Sequence, residues 1–476
     1  MNKYNLKIGL FGVGLEAYWE QFEGLESRLS AYINIVNEKL DVFGCDVVNL
    51  GLIDNTEKAF EAGHAFRKED VDIIFLYVTT YALSSTILPV IRRAKVPVII
   101  LNLAPEPNID YVKFNAIGDR MRMTGEWLAF CSSCSVPEIA NVFKRSNIPF
   151  HQVTGTLHDD PTAWKEIEDW VTAAHVVNIM AHNNLGVMGN YYGGMLDIYS
   201  NLTLQSSTFG GHIEIIEVDE LSMLRSQVSK IEIETKKKQF TELFELQIDC
   251  EELDLLEAAK TGVALDKLVK KHNLGSIAYY HKGVGNPQNQ ETMTSIILGN
   301  SLLTAQGIPV AGEYEIKNAQ AMKIMDSFGA GGSFTEYYAI DFIDDVVLMG
   351  HDGPCHSGIA EGKIKVKPLK SYHGKVGAGL SVEMSVRHGD VTLLSVIETV
   401  DGKIVFLVAE ATSVPGSILE IGNTNSRYKF SLGAKGFIEA WNANGPAHHC
   451  AVGVGHVAAK IKKLGKLIGV ETIQIG

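Results

Sequence analysis

From residue 307 to residue 353 the chain reads GIPVAGEYEIKNAQAMKIMDSFGAGGSFTEYYAIDFIDDVVLMGHDG. Among the residues in it that can bind a cation or carry a proton, Glu313, Glu336 and His351 stand out by their places in the pattern. Glu313 stands where a short strand, IPVAG, gives way to a helix that closes on the glycines of GAGGS. The stretch FTEYYAIDF then alternates, so that Phe334, Glu336, Tyr338, Ile340 and Phe342 share one face of a strand. A carboxylate in an otherwise apolar row is costly unless something binds it. Asp344 and Asp345 turn the chain, and VVLMGH returns antiparallel to deliver His351. Far downstream, GPAHHCAVGVG offers His448 and His449. Neighbours on a strand point to opposite faces, so only one of the pair aims straight at a given point.

Taken singly, each residue has an ordinary explanation. Glu313 can be a first-turn carboxylate favoured by the helix dipole, Glu336 a residue of an exposed edge strand, and His351 a loop histidine. Together they are two carboxylates and an imidazole brought by consecutive elements of one unit. That is an oxygen and nitrogen ligand set for a divalent ion such as Mn²⁺, with water or substrate in the remaining positions. One of the paired histidines is available as a fourth ligand.

Two other motifs carry weaker signals. The loop GVG at residues 12–14 follows a strand, but Ala17 stands where a dinucleotide fingerprint needs its third glycine, and Tyr18 and Trp19 follow. A nicotinamide cofactor is therefore not expected. FCSSC at 130–134 has the spacing of a redox or metal motif, yet no second cysteine pair completes a zinc site. The six cysteines show no framework spacing, so free thiols in a cytoplasmic protein are expected.

The elements that must position these residues fall into three stretches. Short β-branched runs alternate with amphipathic segments at 16–40, 56–68 and 82–94, the pattern of a parallel sheet covered on both faces. The alternation breaks near 115–160 and resumes with helices at about 162–183, 251–272 and 291–306. After about 310, LSVEMSVRHGDVTLLSVIETVDGKIVFLVAEATSV reads as three alternating strands joined by HGD and DGK turns. A helix at about 452–468 and the strand VETIQI close the chain. The expected fold is α/β: two Rossmann-like or flavodoxin-like doubly wound domains, 1–160 and 161–310, then a mostly antiparallel, barrel-like β domain, 311–476, carrying the metal site. A charge of −14 with no offsetting basic stripe excludes a nucleic-acid partner. The start, MNKYNLKIGLFGVG, is not a signal peptide, and VDIIFLYVTTYALSSTILPVI is too interrupted by polar residues and proline for a membrane span.

VAGE before a helix, FTEYY, LMGH and the late AHH resemble the L-arabinose isomerase family's pattern of two glutamates and two histidines around Mn²⁺. Order and rough spacing agree, specifically over the last third of the chain and loosely before it. The resemblance implies that Glu313, Glu336, His351 and His449 hold Mn²⁺, with Co²⁺ or Mg²⁺ as substitutes. It implies that His448 faces away and packs beside or orients its neighbour. Glu313 and Glu336 would carry protons between C1 and C2 of a sugar. The implied reaction converts L-arabinose to L-ribulose, and D-galactose to D-tagatose by extension. L-fucose or a related aldose is the nearest alternative substrate, and a non-catalytic sugar-binding protein on the same scaffold is the alternative function. Tyr18, Lys317 and His448 are the expected substrate contacts, and Glu315 is expected to be nearly silent. A homo-oligomer, hexamer or tetramer, with sites at subunit boundaries is also implied. The family's SQHLYG-like signature has no counterpart here, where the chain reads GVGLEAYWEQF, so the metal centre carries over more securely than the sugar. Because binding needs neutral imidazoles, metal affinity is expected to fall below about pH 6.5.

Overall fold

The alternation at the start of the chain builds one parallel sheet. Its strands are β1 (Lys7–Val13), β2 (Asp46–Ile53), β3 (Ile73–Val78), β4 (Val98–Ala104) and β5 (Phe150–Thr156), in the order β2-β1-β3-β4-β5. The runs KIGLFGV, IIFLYV and VIILNLA occupy its centre, where helices on both faces demand unbroken apolar sequence. The Leu25–Asp41 helix covers it with Leu29, Ile33, Val36 and Leu40, a buried stripe at helical spacing. The computed structural model describes residues 5–282, 285–372 and 375–476, and the chain divides into two units, Met1–Asn178 and Ile179–Gly476.

Within the first unit three expectations change. The stretch 115–160, read as a break, supplies helices and then β5, whose sequence FHQVTGT is only partly apolar because an edge strand pairs on one side. The GVG glycines serve packing: a Cβ on Gly12 would strike Ile33, and one on Gly14 would sit 2.9 Å from the Trp19 ring. A short 3-10 helix, Glu16–Tyr18, follows them, and the first α-helix begins only at Leu25. The expectation of six free thiols fails at FCSSC. The turn between helices Arg120–Phe130 and Val136–Arg145 brings Cα131 and Cα134 to 5.6 Å, within bridging range, and the two cysteines form a disulfide. Cys45, Cys250, Cys355 and Cys450 are free.

The second unit opens with another parallel sheet. Strands β6 (Asn184–Gly189), β7 (His212–Ile216), β8 (Ser276–Tyr280) and β9 (Val310–Ala311) take the order β9-β8-β6-β7. The helix expected at 291–306 is two helices, Pro287–Thr294 and Ile297–Ala305. They part at Ser295, whose hydroxyl donates to the Glu291 carbonyl at 2.8 Å and lies 2.6 Å from Thr261 Oγ1.

A closed antiparallel barrel of six strands follows: β10 (Ser333–Asp341), β11 (Val346–His351), β12 (Gly389–Glu398), β13 (Ile404–Val414), β14 (Thr424–Phe430) and β15 (His449–Val454). The ring runs β12-β15-β10-β11-β14-β13 and closes through the β12–β13 hairpin, with β16 (Glu471–Ile475) added in parallel to β13. Five of the six strands, with Val347, Met349, Leu393, Leu407, Tyr428, Cys450 and Val452, contribute to a single hydrophobic core that also takes in Met188 and Leu265, and Tyr337 of β10 packs against it. The DGK turn makes its hairpin as expected, but HGD does not. Leu380–Glu383 pairs instead with Ile364–Pro368, in a small sheet with Phe244–Leu246. The expected helix at 452–468 starts at Ala458, because the small and β-branched run HCAVGV fills the ring between β10 and β12. Among the described residues no helix is long and apolar enough to cross a membrane.

Candidate metal centre

Glu313 reaches the site through strained backbone. After β9 ends at Ala311, Glu313 and Tyr314 both lie in the left-handed region, at φ 55° and 63°. For an L residue with a side chain this costs roughly 1–2 kcal/mol each, and such strain persists only where surrounding structure enforces it. Here the Tyr314 amide donates to the Tyr279 carbonyl at 3.0 Å, the Glu315 amide donates to the Gly312 carbonyl at 2.9 Å, and the Tyr191 ring stands 4.7 Å from that of Tyr314.

The remaining ligand candidates come from three neighbouring strands of the barrel. Glu336 in β10 lies opposite Gly350 of β11 on one side and His449 of β15 on the other. His351 ends β11. Phe334, two residues before Glu336, sits against both imidazoles, its ring 4.5 Å from that of His351 and 4.3 Å from that of His449. The expected alternation holds from Phe334 to Glu336, and a register shift between Tyr337 and Ala339 then breaks it. Ligand atoms of Glu336, His351 and His449 lie within 4.8 Å of one another, and so do those of Glu313, His448 and His449. His449 is common to both groups.

Glu313 joins the imidazoles. Its Oε1 lies 3.9 Å from His351 Nε2 and its Oε2 lies 3.4 Å from His449 Nε2. The other ring nitrogens are turned elsewhere, His351 Nδ1 to the Asp352 carbonyl and His449 Nδ1 to Glu315 Oε2 at 3.6 Å. A carbonyl can only accept, so His351 carries its proton on Nδ1 and leaves the Nε2 lone pair toward the site.

Burial is the main electrostatic force on the two rings. It lowers His351 to about 4, and, with the cationic His448 beside it, lowers His449 to about 3. Both are neutral at neutral pH. Burial works to raise the Glu313 carboxyl, but His448, His449 and His351 together bring it below the usual glutamate range. Among the described residues, Glu313 Oε2 and His449 Nε2 are buried atoms with no hydrogen-bond partner. An ionised oxygen and a lone-pair nitrogen that have both lost water and face each other fit a cation between them.

The other expected residues fare unevenly. His448 does not face away. It precedes β15, so strand alternation does not govern it, and its Nε2 approaches Glu313 Oε2 at 3.7 Å while Nδ1 meets Asp197 Oδ2 at 2.6 Å. Burial works to lower this imidazole, but the carboxylates of Glu313 and Asp197 hold it up at about 9. Lys317 is brought in but deeply buried, its ammonium donating to the Asp197 carbonyl at 2.7 Å and pairing with Glu315 at 3.1 Å. Glu315, expected to be nearly silent, is 0% exposed and stands between Lys317 and His449. Burial raises its carboxyl to about 7 against the pull of Lys317. Tyr18 belongs to the first unit, where its ring meets Trp19 and Phe22. Asp197 went unnoticed in the sequence: it lies 251 positions from His448, and nothing local marks it.

No family model matches the chain, and no curated protein sequence matches it. Among solved structures it is similar to an ABC-transporter solute-binding protein from Burkholderia multivorans, at 11% identity over 65% of this chain and 97% of that one, with a TM-score of 0.18. A periplasmic solute-binding protein from Actinobacillus succinogenes with bound D-allose gives 11% identity over 64% and 78%, also at 0.18. The D-lactate dehydrogenase of Escherichia coli gives 10% over 68% and 94%, at 0.16. Likeness at this level carries no argument about fold or function.

Proposed function

We propose that the second unit is a metal-dependent aldose–ketose isomerase, of the kind the L-arabinose isomerase resemblance implies. The observation that carries this reading is that His449 is shared by two ligand groups, one with Glu336 and His351 and one with Glu313 and His448, while Glu313 also lies 3.9 Å from His351. A divalent cation bound there, Mn²⁺ first and Co²⁺ or Mg²⁺ next, supplies Lewis-acid polarisation of a sugar's carbonyl and hydroxyl oxygens.

The protein's own groups do the rest. Isomerisation removes a proton from the hydroxyl-bearing carbon and returns it to the former carbonyl carbon, while a hydroxyl proton crosses between the two oxygens. Glu313 and Glu336 are the carboxylates in reach of such a substrate, one for the carbon-bound proton and one for the hydroxyl. His448, held in its charged form by Asp197 and Glu313, donates to a sugar oxygen at the exposed rim. Glu315 stands behind His449, its Oε2 3.6 Å from the ring's Nδ1, and Lys317 pairs with Glu315.

The wider reading rests on the same resemblance. The order β2-β1-β3-β4-β5 is that of flavodoxin-like doubly wound sheets, and β7-β6-β8-β9 repeats its first four places, which supports two such domains ahead of the barrel. A cytoplasmic homo-oligomer with sites at subunit boundaries belongs to the proposal as well. The deciding experiment is a panel of aldoses, L-arabinose, D-galactose and L-fucose among them, assayed for ketose with added Mn²⁺ and after chelation. Ketose formed only with metal supports the isomerase, and the preferred sugar names it. Metal binding with no turnover on any aldose would leave a binding protein instead.

A further inference from the structure

We infer that Cys131 and Cys134 form a reversible dithiol–disulfide couple, opened by the thiolate of an external dithiol at Cys134 Sγ. The couple lies in the first unit.

Three features distinguish it from a structural staple. The first is what the bond closes. A disulfide stabilises by tying distant segments and restricting the unfolded chain, an effect that shrinks with the loop. This one encloses only Ser132 and Ser133, between helices already joined by a tight turn. The second is that other bonds hold the loop. Thr80 Oγ1 donates to the Leu128 carbonyl at 2.7 Å, Ser133 Oγ donates to Asn102 Oδ1 at 2.9 Å, and Ser135 Oγ donates to the Thr80 carbonyl at 3.4 Å. The Cys131 amide donates to the Leu128 carbonyl at 3.2 Å. With the sulfur bond open, these contacts keep the cysteines poised to close again, as an intramolecular step. The third is asymmetry. Cys131 is 3% exposed, whereas Cys134 is exposed, so an incoming thiolate can reach Cys134 Sγ and not Cys131 Sγ.

Each step balances. The incoming thiolate bonds to Cys134 Sγ, the Cys131–Cys134 bond breaks, and its electron pair leaves on Cys131 Sγ, which takes up a proton. The second thiol of the reductant then attacks its own sulfur in the mixed disulfide and releases Cys134. Two electrons and two protons pass from the dithiol to the pair, and the reductant leaves as a cyclic disulfide. The reverse reaction starts from Cys134 thiolate, with buried Cys131 resolving the mixed disulfide.

The test equilibrates the native full-length protein in graded ratios of reduced to oxidised dithiothreitol, quenches in acid and alkylates with N-ethylmaleimide. The readout is the mass of the peptide holding both cysteines. One two-electron transition is expected, superimposable from the oxidised and the reduced side, with far-UV circular dichroism unchanged across it. In Cys131→Ser the remaining Cys134 should capture oxidised glutathione as a stable mixed disulfide. In Cys134→Ser the remaining Cys131 should label about tenfold or more slowly than Cys134 does in Cys131→Ser. Both cysteines alkylating without reductant would overturn the couple, as would a bond that resists excess dithiothreitol until the chain is denatured. So would loss of the fold on reduction. If either variant fails to fold, the two-sided titration of the unsubstituted protein decides alone.

Discussion

Glu315 Oε2 stands 3.6 Å from His449 Nδ1, facing the ring nitrogen that does not face Glu313. A carboxylate in that place fixes the ring and raises its basicity as a ligand. Glu315→Gln is therefore expected to weaken Mn²⁺ binding by about 10–100-fold, measured by competition with a chelating dye. An unchanged affinity in a folded variant would return Glu315 to the silent role its sequence context suggests.

Removing the metal should abolish turnover and lower the melting transition of the second unit. At a metal concentration 100 times its Kd, binding adds about 2.7 kcal/mol to stability. The pH dependence changes from the sequence-based expectation. Since His351 and His449 are already neutral down to about 4 and 3, affinity should hold from pH 7 to near pH 5. Calorimetric titration at pH 7, 5.5 and 4.5 checks this, and a tenfold loss already at pH 6 would contradict it.

The two adjacent histidines should differ. His449→Ala removes a ring that both ligand groups share, and metal binding should largely disappear. His448→Ala should retain the metal and lose turnover by about 10²–10³-fold, as for a lost hydrogen-bond donor to a substrate oxygen. Metal content after gel filtration separates the two, and the reverse ranking would make His448 the ligand.

Glu336→Gln keeps volume and one oxygen but cannot take a proton. Its turnover at saturating Mn²⁺ should fall by about 10²–10⁴-fold, with circular dichroism unchanged. A folded variant keeping more than roughly a tenth of the rate would remove Glu336 from proton transfer.

His448 also makes a prediction about stability. Its folded pKa is raised to about 9 from an ordinary 6.5. The folded state therefore binds the extra proton more tightly than the unfolded chain, and that stabilisation is fully present below pH 6.5. It is lost as pH rises through 9. Metal-free protein should melt progressively lower over this window. Asp197→Asn should flatten the decline, and an equal slope in the variant would show that the pair is too solvent-screened to matter.

Much of the site was legible because its parts are local. Glu336 and His351 lie on one hairpin, and strand alternation places the carboxylate among apolar neighbours within five residues of sequence. What stayed hidden is tertiary. Glu315 in GEYEIK looks like any polar residue ahead of a helix, and only burial against β15 and Lys317 gives it a role. Asp197 sits in a short 3-10 helix, Leu196–Ile198, that no sequence pattern announces. The fold follows the same division. Central strands such as IIFLYV announce themselves, whereas β5 and β15 take their form from the neighbours they pair with. HGD resembled a hairpin because turn residues mark a reversal without saying which strands will meet across it.

If the proposed ion binds, the closed barrel would set how fast it comes and goes. Glu336, His351 and His449 sit on β10, β11 and β15, adjacent staves of a ring with no free edge, and none can withdraw without breaking its ladder. Glu313 alone hangs from a turn, held in an unfavourable conformation by two amide hydrogen bonds and an edge-on ring contact. Relaxation of that turn would withdraw the Glu313 carboxylate while Glu336, His351 and His449 stayed in place to hold an ion. Exchange kinetics should then be governed by residues 312–315 and insensitive to barrel stability. Tyr191→Ala, which frees the Tyr314 ring, should speed metal release far more than it weakens equilibrium binding.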